Sequence, residues 1–151
     1  MTKKPIRILA AFIVIFLLQP GCTMVPINSR KSKEAAPVVK QLAKTTQSWN
    51  GKFLPTYPQG QPEVTILRII IPAGAQLDIH SHPVINAGVL ISGQLTVVTT
   101  DGKTLHLKAG DPIVEVVNTL HYGMNQRNVP AEIIVFYAGV VGMPITNVEP
   151  R

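Results

Sequence analysis

His80 and His82 are the residues of this chain whose type and spacing speak first of chemistry. They stand one residue apart within residues 74–93, GAQLDIHSHPVINAGVLISG, a stretch that otherwise reads as β-strand. In a strand, side chains at i and i+2 point to one face. Both imidazoles therefore aim into one space, close enough to share a metal ion. Neutral imidazole is the commonest protein ligand for a transition metal. Gly74 and Gly93 bracket the pair where strands need to turn. A single histidine in a strand is ordinarily a packed or surface residue. His106 is the example here, because it alternates with Leu105 and Leu107 and so faces away from them, toward solvent.

A set of short strands must position these side chains. From Glu63 the chain becomes β-rich runs punctuated by turns: residues 64–72 (VTILRIIIP), 87–91, 94–100 (QLTVVTT), 103–108 (KTLHLK), 113–117, 120–124 and 132–138 (EIIVFYA). Asp101-Gly102 is a strong hairpin signal, and Ala109-Gly110-Asp111 turns again. Strands at such regular intervals, with no helix between them, predict a sandwich or small barrel. Residues 46–62 are rich in Gly, Pro and polar side chains and form an irregular arm. Its Trp49, Phe53 and Tyr57 are expected to cover an open edge of the domain.

A second segment, residues 110–125, reads GDPIVEVVNTLHYGMN. The two segments together resemble the motifs of the cupin family. The first motif is glycine, five residues, His-x-His, three or four residues, glutamate, six residues, glycine. Here it is Gly74, His80, His82, Asn86 in the glutamate position, and Gly93. The second is glycine, five residues, proline, one residue, glycine, two residues, histidine, three residues, asparagine. Here it is Gly110, Val116 for proline, Asn118 for glycine, His121 and Asn125. All spacings are kept and three identities are not.

The resemblance implies an all-β fold, a double-stranded β-helix (jelly-roll) small barrel, with one divalent transition metal held by His80, His82 and His121. Asn86 would stand as a weak or water-mediated ligand, because an amide offers one neutral oxygen where a carboxylate offers a charge. Three imidazoles suit iron, zinc, manganese, nickel or copper better than magnesium or calcium, and an open position would admit water or substrate. Asp78, two residues before His80, and Glu115, ahead of the missing proline, are the nearby carboxylates. Glu115 could replace the absent acidic ligand, but for each the expectation is a solvated surface charge. Tyr122, Met124 and Tyr137 are candidates to line the pocket.

The N-terminus has the build of a bacterial export signal over residues 1–22. Lys3, Lys4 and Arg7 precede an unbroken apolar run, residues 8–18, too short to span a bilayer and suited to a signal peptide. Leu18-Gln19-Pro20-Gly21-Cys22 resembles a lipobox, although Gln19 stands where that motif has an aliphatic residue. Cys22 would carry the lipid. As the chain's one cysteine, it leaves no internal disulfide and no thiol in the domain. Residues 23–45 read as a basic linker, disordered or partly helical over residues 38–44. The net charge of +6 is concentrated in these leading segments, and residues 46–151 carry six basic and seven acidic side chains. The folded part is near neutral, which argues against a nucleic-acid partner.

The expected protein is thus a cupin domain over residues 46–151, exported to the periplasmic side of the envelope and lipid-anchored, at the outer membrane if Gram-negative. It is either an oxidoreductase (dioxygenase-like) or isomerase-like metal enzyme on a small organic molecule, or a non-catalytic small-molecule or metal-binding envelope module. An interaction domain with a vestigial barrel is the third class, and homodimerisation is an expectation from the resemblance.

Overall fold

The Val-, Ile- and Thr-rich runs become strands because such side chains fit a pleated surface with one buried face. The computed structural model describes residues 36–150. The expected signal peptide, Cys22 and most of the basic linker lie outside the described residues. Among the described residues nine strands follow in order: β1 (Pro62–Ile71), β2 (His80–Ser81), β3 (Ile85–Ser92), β4 (Gln94–Thr99), β5 (Thr104–Lys108), β6 (Pro112–Val114), β7 (His121–Met124), β8 (Ala131–Val140) and β9 (Asn147–Val148). Residues 36–46 contain no helix, so the short helix expected over residues 38–44 is absent and that stretch is exposed, irregular chain.

Two antiparallel sheets result, a four-stranded one in the order β1-β8-β3-β6 and a five-stranded one in the order β5-β4-β7-β2-β9. The all-β class is as expected. The closed small barrel is not. Every ladder between these strands lies within one sheet, and each sheet keeps two edge strands. Edge strands β6 and β9, three and two residues long, offer too few backbone groups to stitch one sheet to the other. The expected jelly-roll barrel is therefore corrected to two facing, unclosed sheets.

The core lies between them. Ile71, Leu90, Ile113, Ile133 and Val135 from the first sheet meet Leu95, Val97 and Leu107 from the second. The outer face of the first sheet is apolar yet exposed, with Val64, Ile66 and Ile70 of β1 each more than half accessible. The arm behaves partly as expected. The Trp49 N–H donates to the Val114 carbonyl at 2.9 Å and Ser48 Oγ donates to the Glu115 carbonyl at 2.8 Å, which covers the β6 edge. Phe53 and Tyr57 contribute nothing to that cover; they are 76% and 68% exposed.

Gly93 marks where β3 must turn into β4. Its φ is +76°, and a Cβ there would lie 2.6 Å from the Pro130 carbonyl oxygen and 2.8 Å from Ala131 Cα. Gly102, in the β4–β5 hairpin, has φ +90° with open space around it. Gly102→Ala is expected to cost about 1–2 kcal/mol, the left-handed backbone penalty alone, and Gly93→Ala distinctly more, because backbone atoms must also move. Denaturant unfolding of the two variants compares them; equal losses would contradict the close approach at Gly93.

Candidate metal centre

Cross-strand register builds the site. In an antiparallel pair, directly opposed residues put their side chains on the same face. His80 of β2 is opposed to His121 of β7, and His121 to Thr99 of β4. Those positions form one polar rung on the inner face of the five-stranded sheet. Facing it, Tyr137 of β8 is opposed to Asn86 of β3. The β3–β6 register, Ala87↔Val114, brings Asn86 opposite Glu115, and the Glu115 N–H donates to the Asn86 carbonyl at 3.0 Å. His82 arrives differently from the expectation of one continuous strand. It follows the two-residue β2 and is held by an isolated parallel bridge to Val117, with the Asn118 N–H donating to its carbonyl at 2.9 Å.

The three imidazoles nevertheless converge. Their ring centroids are separated by 4.5 Å (His80–His121), 5.0 Å (His80–His82) and 5.0 Å (His82–His121). One ring nitrogen from each lies within 4.8 Å of those of the other two. Each Nδ1 faces a backbone carbonyl: His80 that of Asp78 at 2.7 Å, His82 that of Ile145 at 2.9 Å, and His121 that of Thr119 at 2.8 Å. A carbonyl only accepts, so each Nδ1 carries the proton and donates. Each Nε2 is left with its lone pair free, which is the tautomer a metal requires. Burial reinforces the neutral form, pushing His82 down to about 4 and lowering His80 and His121 from their ordinary value.

Asn86 is fully buried, and neither its amide nitrogen nor its amide oxygen has a hydrogen-bond partner among the described residues. Buried polar groups are rarely left unpaired. An unmet amide beside three free imidazole lone pairs is what a site for a metal and its bound water or ligand looks like. The residues fit the metal that the motifs imply.

Glu115 overturns its expectation. Instead of a solvated surface charge it is 9% exposed and walls the same cavity, with Oε2 3.8 Å from His121 Nε2. The Trp49 indole N–H and the Val116 N–H donate to that oxygen, each at 3.3 Å. Burial pushes its carboxyl up to about 7, against the pull of those two donors. Sequence alone had one signal for it, the position directly ahead of the missing proline. Asp78 is exposed, as expected, at the cavity wall. Of the three further pocket candidates, Tyr137 lines the cavity and Tyr122 and Met124 do not. Burial raises the Tyr137 phenol to about 12, so it stays a hydrogen-bond donor.

Two other motif residues serve the backbone. Asn118, in the glycine position of the second motif, has φ +49°, and asparagine is among the few residues that tolerate that region. Asn125 is 1% exposed; its Nδ2 donates to the carbonyls of Ile71, Pro72 and Val129, and its Oδ1 accepts from the Arg127 N–H.

The cavity between the sheets is about 310 Å³. Its polar lining is His80, His82, His121, Asn86, Glu115, Tyr137, Asp78 and Thr146, and its apolar lining includes Leu67, Ile69, Ile71, Leu77, Leu95, Val97, Ile133 and Val135. No lysine or arginine among the described residues lines it.

Residues 67–137, just under half of the chain, match the family model described as a cupin domain. No curated protein matches the sequence. Among solved structures, the chain is similar to an uncharacterized conserved Klebsiella pneumoniae protein with a double-stranded beta-helix domain, at 20% identity and TM-score 0.50, covering 64% of this chain and 90% of that one. It is similar also to the DMSP lyase DddQ of Ruegeria pomeroyi DSS-3, at 16% identity and TM-score 0.50, covering 56% of this chain and 42% of the lyase. An oxalate oxidase aligns at 20% identity and TM-score 0.49, covering 56% of this chain and 45% of the oxidase. The chain thus spans less than half of either enzyme. The fold is similar to that of cupin domains.

The buried carboxyl gives the metal-free protein a pH signature. Glu115 is raised from an ordinary 4.5 to about 7, so the stability it contributes is complete below 4.5 and lost as pH rises through about 7. His82 runs the other way: lowered from 6.5 to about 4, its contribution is complete above 6.5 and lost as pH falls through about 4. Glu115→Gln removes the first effect and keeps the second. With a chelator present, the variant is expected to gain on the parent between about pH 5 and about pH 8, on the order of 3 kcal/mol at about 1.4 kcal/mol per pKa unit. Denaturant unfolding at both pH values measures the gain, and a pH-independent difference would mean that the carboxyl is hydrated.

Proposed function

We propose that this protein is a metal-binding cupin that holds one divalent transition metal through His80, His82 and His121 and binds a small molecule against it. The observation that carries this reading is the set of three converging imidazoles, two of them buried and His80 half-buried, whose Nδ1 protons are all committed to backbone carbonyls. That arrangement fixes every free lone pair toward one point before any ion arrives.

The cavity indicates the class of ligand. Much of its wall is aliphatic, three of its polar side chains are the converging imidazoles, and among the described residues it offers no lysine or arginine. A ligand with an apolar body and one oxygen, nitrogen or sulfur donor at its head fits that division. A di-anion or sugar phosphate would lack a counter-charge from the chain. Asn86, with both amide atoms unmet, takes the hydrogen bonds of the bound water or ligand head, and Tyr137 donates from the neighbouring strand. The aliphatic walls exclude water from the head group, which strengthens these polar contacts. When bound, the metal supplies Lewis acidity or redox chemistry. The activity proposed is oxidation or isomerisation of that molecule, and binding without turnover would assign the protein as a non-catalytic module.

We also propose export, with Cys22 as the lipid anchor on the periplasmic side of the envelope. Cys22→Ser is expected to move the protein from the membrane fraction to the soluble fraction; unchanged membrane association would remove the anchor.

The metal itself is tested by elemental analysis of the full chain beside His80→Ala and His121→Ala. About one equivalent of metal is expected in the parent and loss in both variants, with the fold kept by circular dichroism. An empty parent, even after reconstitution with iron, zinc, manganese, nickel or copper at neutral pH, would end the metal-centre reading.

A further inference from the structure

The metal site described so far has three neutral donors and no anionic one. A buried carboxylate stands beside it. We propose that Glu115 is the carboxylate ligand of this metal centre, supplied from the end of β6, the strand next to the one that carries Asn86. The inference rests on the metal-centre reading and adds the residue that sets the site's charge.

Register makes the exchange geometrically small. The β3–β6 ladder ends at Ala87↔Val114, and its register carried one residue further sets Glu115 beside Asn86, joined by the hydrogen bond from the Glu115 N–H to the Asn86 carbonyl at 3.0 Å. Opposed side chains share a face, and neighbouring strands lie about 4.8 Å apart. A carboxylate at position 115 therefore enters the same space as an acid at position 86, from one strand over. The longer glutamate side chain helps to span the difference, and its Oε2 reaches to 3.8 Å from His121 Nε2.

The geometry of that approach suits a cation. His121 Nδ1 carries its proton toward the Thr119 carbonyl, so Nε2 presents a lone pair to Glu115 Oε2. Both atoms are electron-pair donors, and in the neutral imidazole–carboxylate state neither has a hydrogen to give. The Trp49 indole and the Val116 amide aim and hold the carboxylate, but they are neutral, and no lysine or arginine among the described residues lines the cavity. A dication among the imidazoles supplies the missing charge to a carboxylate that is 9% exposed. With Glu115 as ligand, Asn86 is released to hold water or the head of the bound molecule.

Cobalt(II) tests the assignment, because its visible absorption reports the donor set and its affinity follows from competition with a chelator. Full-chain parent, Glu115→Gln, Glu115→Asp and Asn86→Ala are titrated, each first shown by circular dichroism to be folded without metal. Glu115→Gln is expected to weaken cobalt binding at least about tenfold, the scale already seen for loss of groups that only support a ligand, and to shift the visible bands. Glu115→Asp keeps a carboxylate and should bind between parent and Glu115→Gln. Asn86→Ala should lose less affinity than Glu115→Gln and keep the visible bands of a carboxylate-ligated site. Parent-like affinity and spectrum in Glu115→Gln would overturn the proposal. Loss confined to Asn86→Ala would do so as well, making the amide the fourth ligand. A parent that binds no cobalt would instead remove the metal-centre reading, and the proposal with it.

Discussion

The site depends on a pairing of electron-pair donors with no built-in counter-charge. Three imidazoles, each locked with its proton outward on a main-chain carbonyl, face a buried carboxyl and an unmet amide across the gap between two sheets. Such an arrangement is costly in an otherwise apolar interior. It persists because the surrounding register leaves these side chains nowhere else to go. The His80↔His121 rung of one sheet and the Tyr137–Asn86–Glu115 rung of the other are fixed by ladders continuous with the core packing. A one-residue slip would turn every member outward and the apolar face with it.

The remaining motif residues are understood through what they do for that register. Asn118 accepts a left-handed backbone and ties its N–H to the carbonyl of His82, placing the one histidine that lies outside the strand ladders. Asn125 gathers three carbonyls from the end of β1 and the loop before β8. Trp49, carried on the arm, covers the β6 edge and reaches Glu115 with its indole. The arm is thereby part of the site's support as well as a cover for a sheet edge.

Much of the fold was legible because strand periodicity and turn chemistry are local. The runs at residues 64–72, 94–100, 103–108 and 132–138 all became strands, and the Asp101-Gly102 hairpin formed between β4 and β5. The closed barrel was not legible, since closure depends on pairing between distant edges, and the edge strands proved too short for it. A helix at residues 38–44 rested on propensity alone and did not form. Phe53 and Tyr57 looked like cover because aromatic side chains usually bury, yet both stay exposed and it is Trp49 that packs against the core and reaches Glu115.

By itself the sequence determined the all-β class, the turn glycines and the three histidines, because side-chain type and spacing act through backbone periods of a few residues. It also marked Asn86 as a departure that removes a charge. Only the tertiary structure decided that the three rings meet, that their tautomers are fixed by carbonyls, and that Glu115 is buried beside them. Those facts arise from pairings between residues far apart in the chain. The burial of a charge, in particular, is a property of everything packed around it, and no local pattern encodes that.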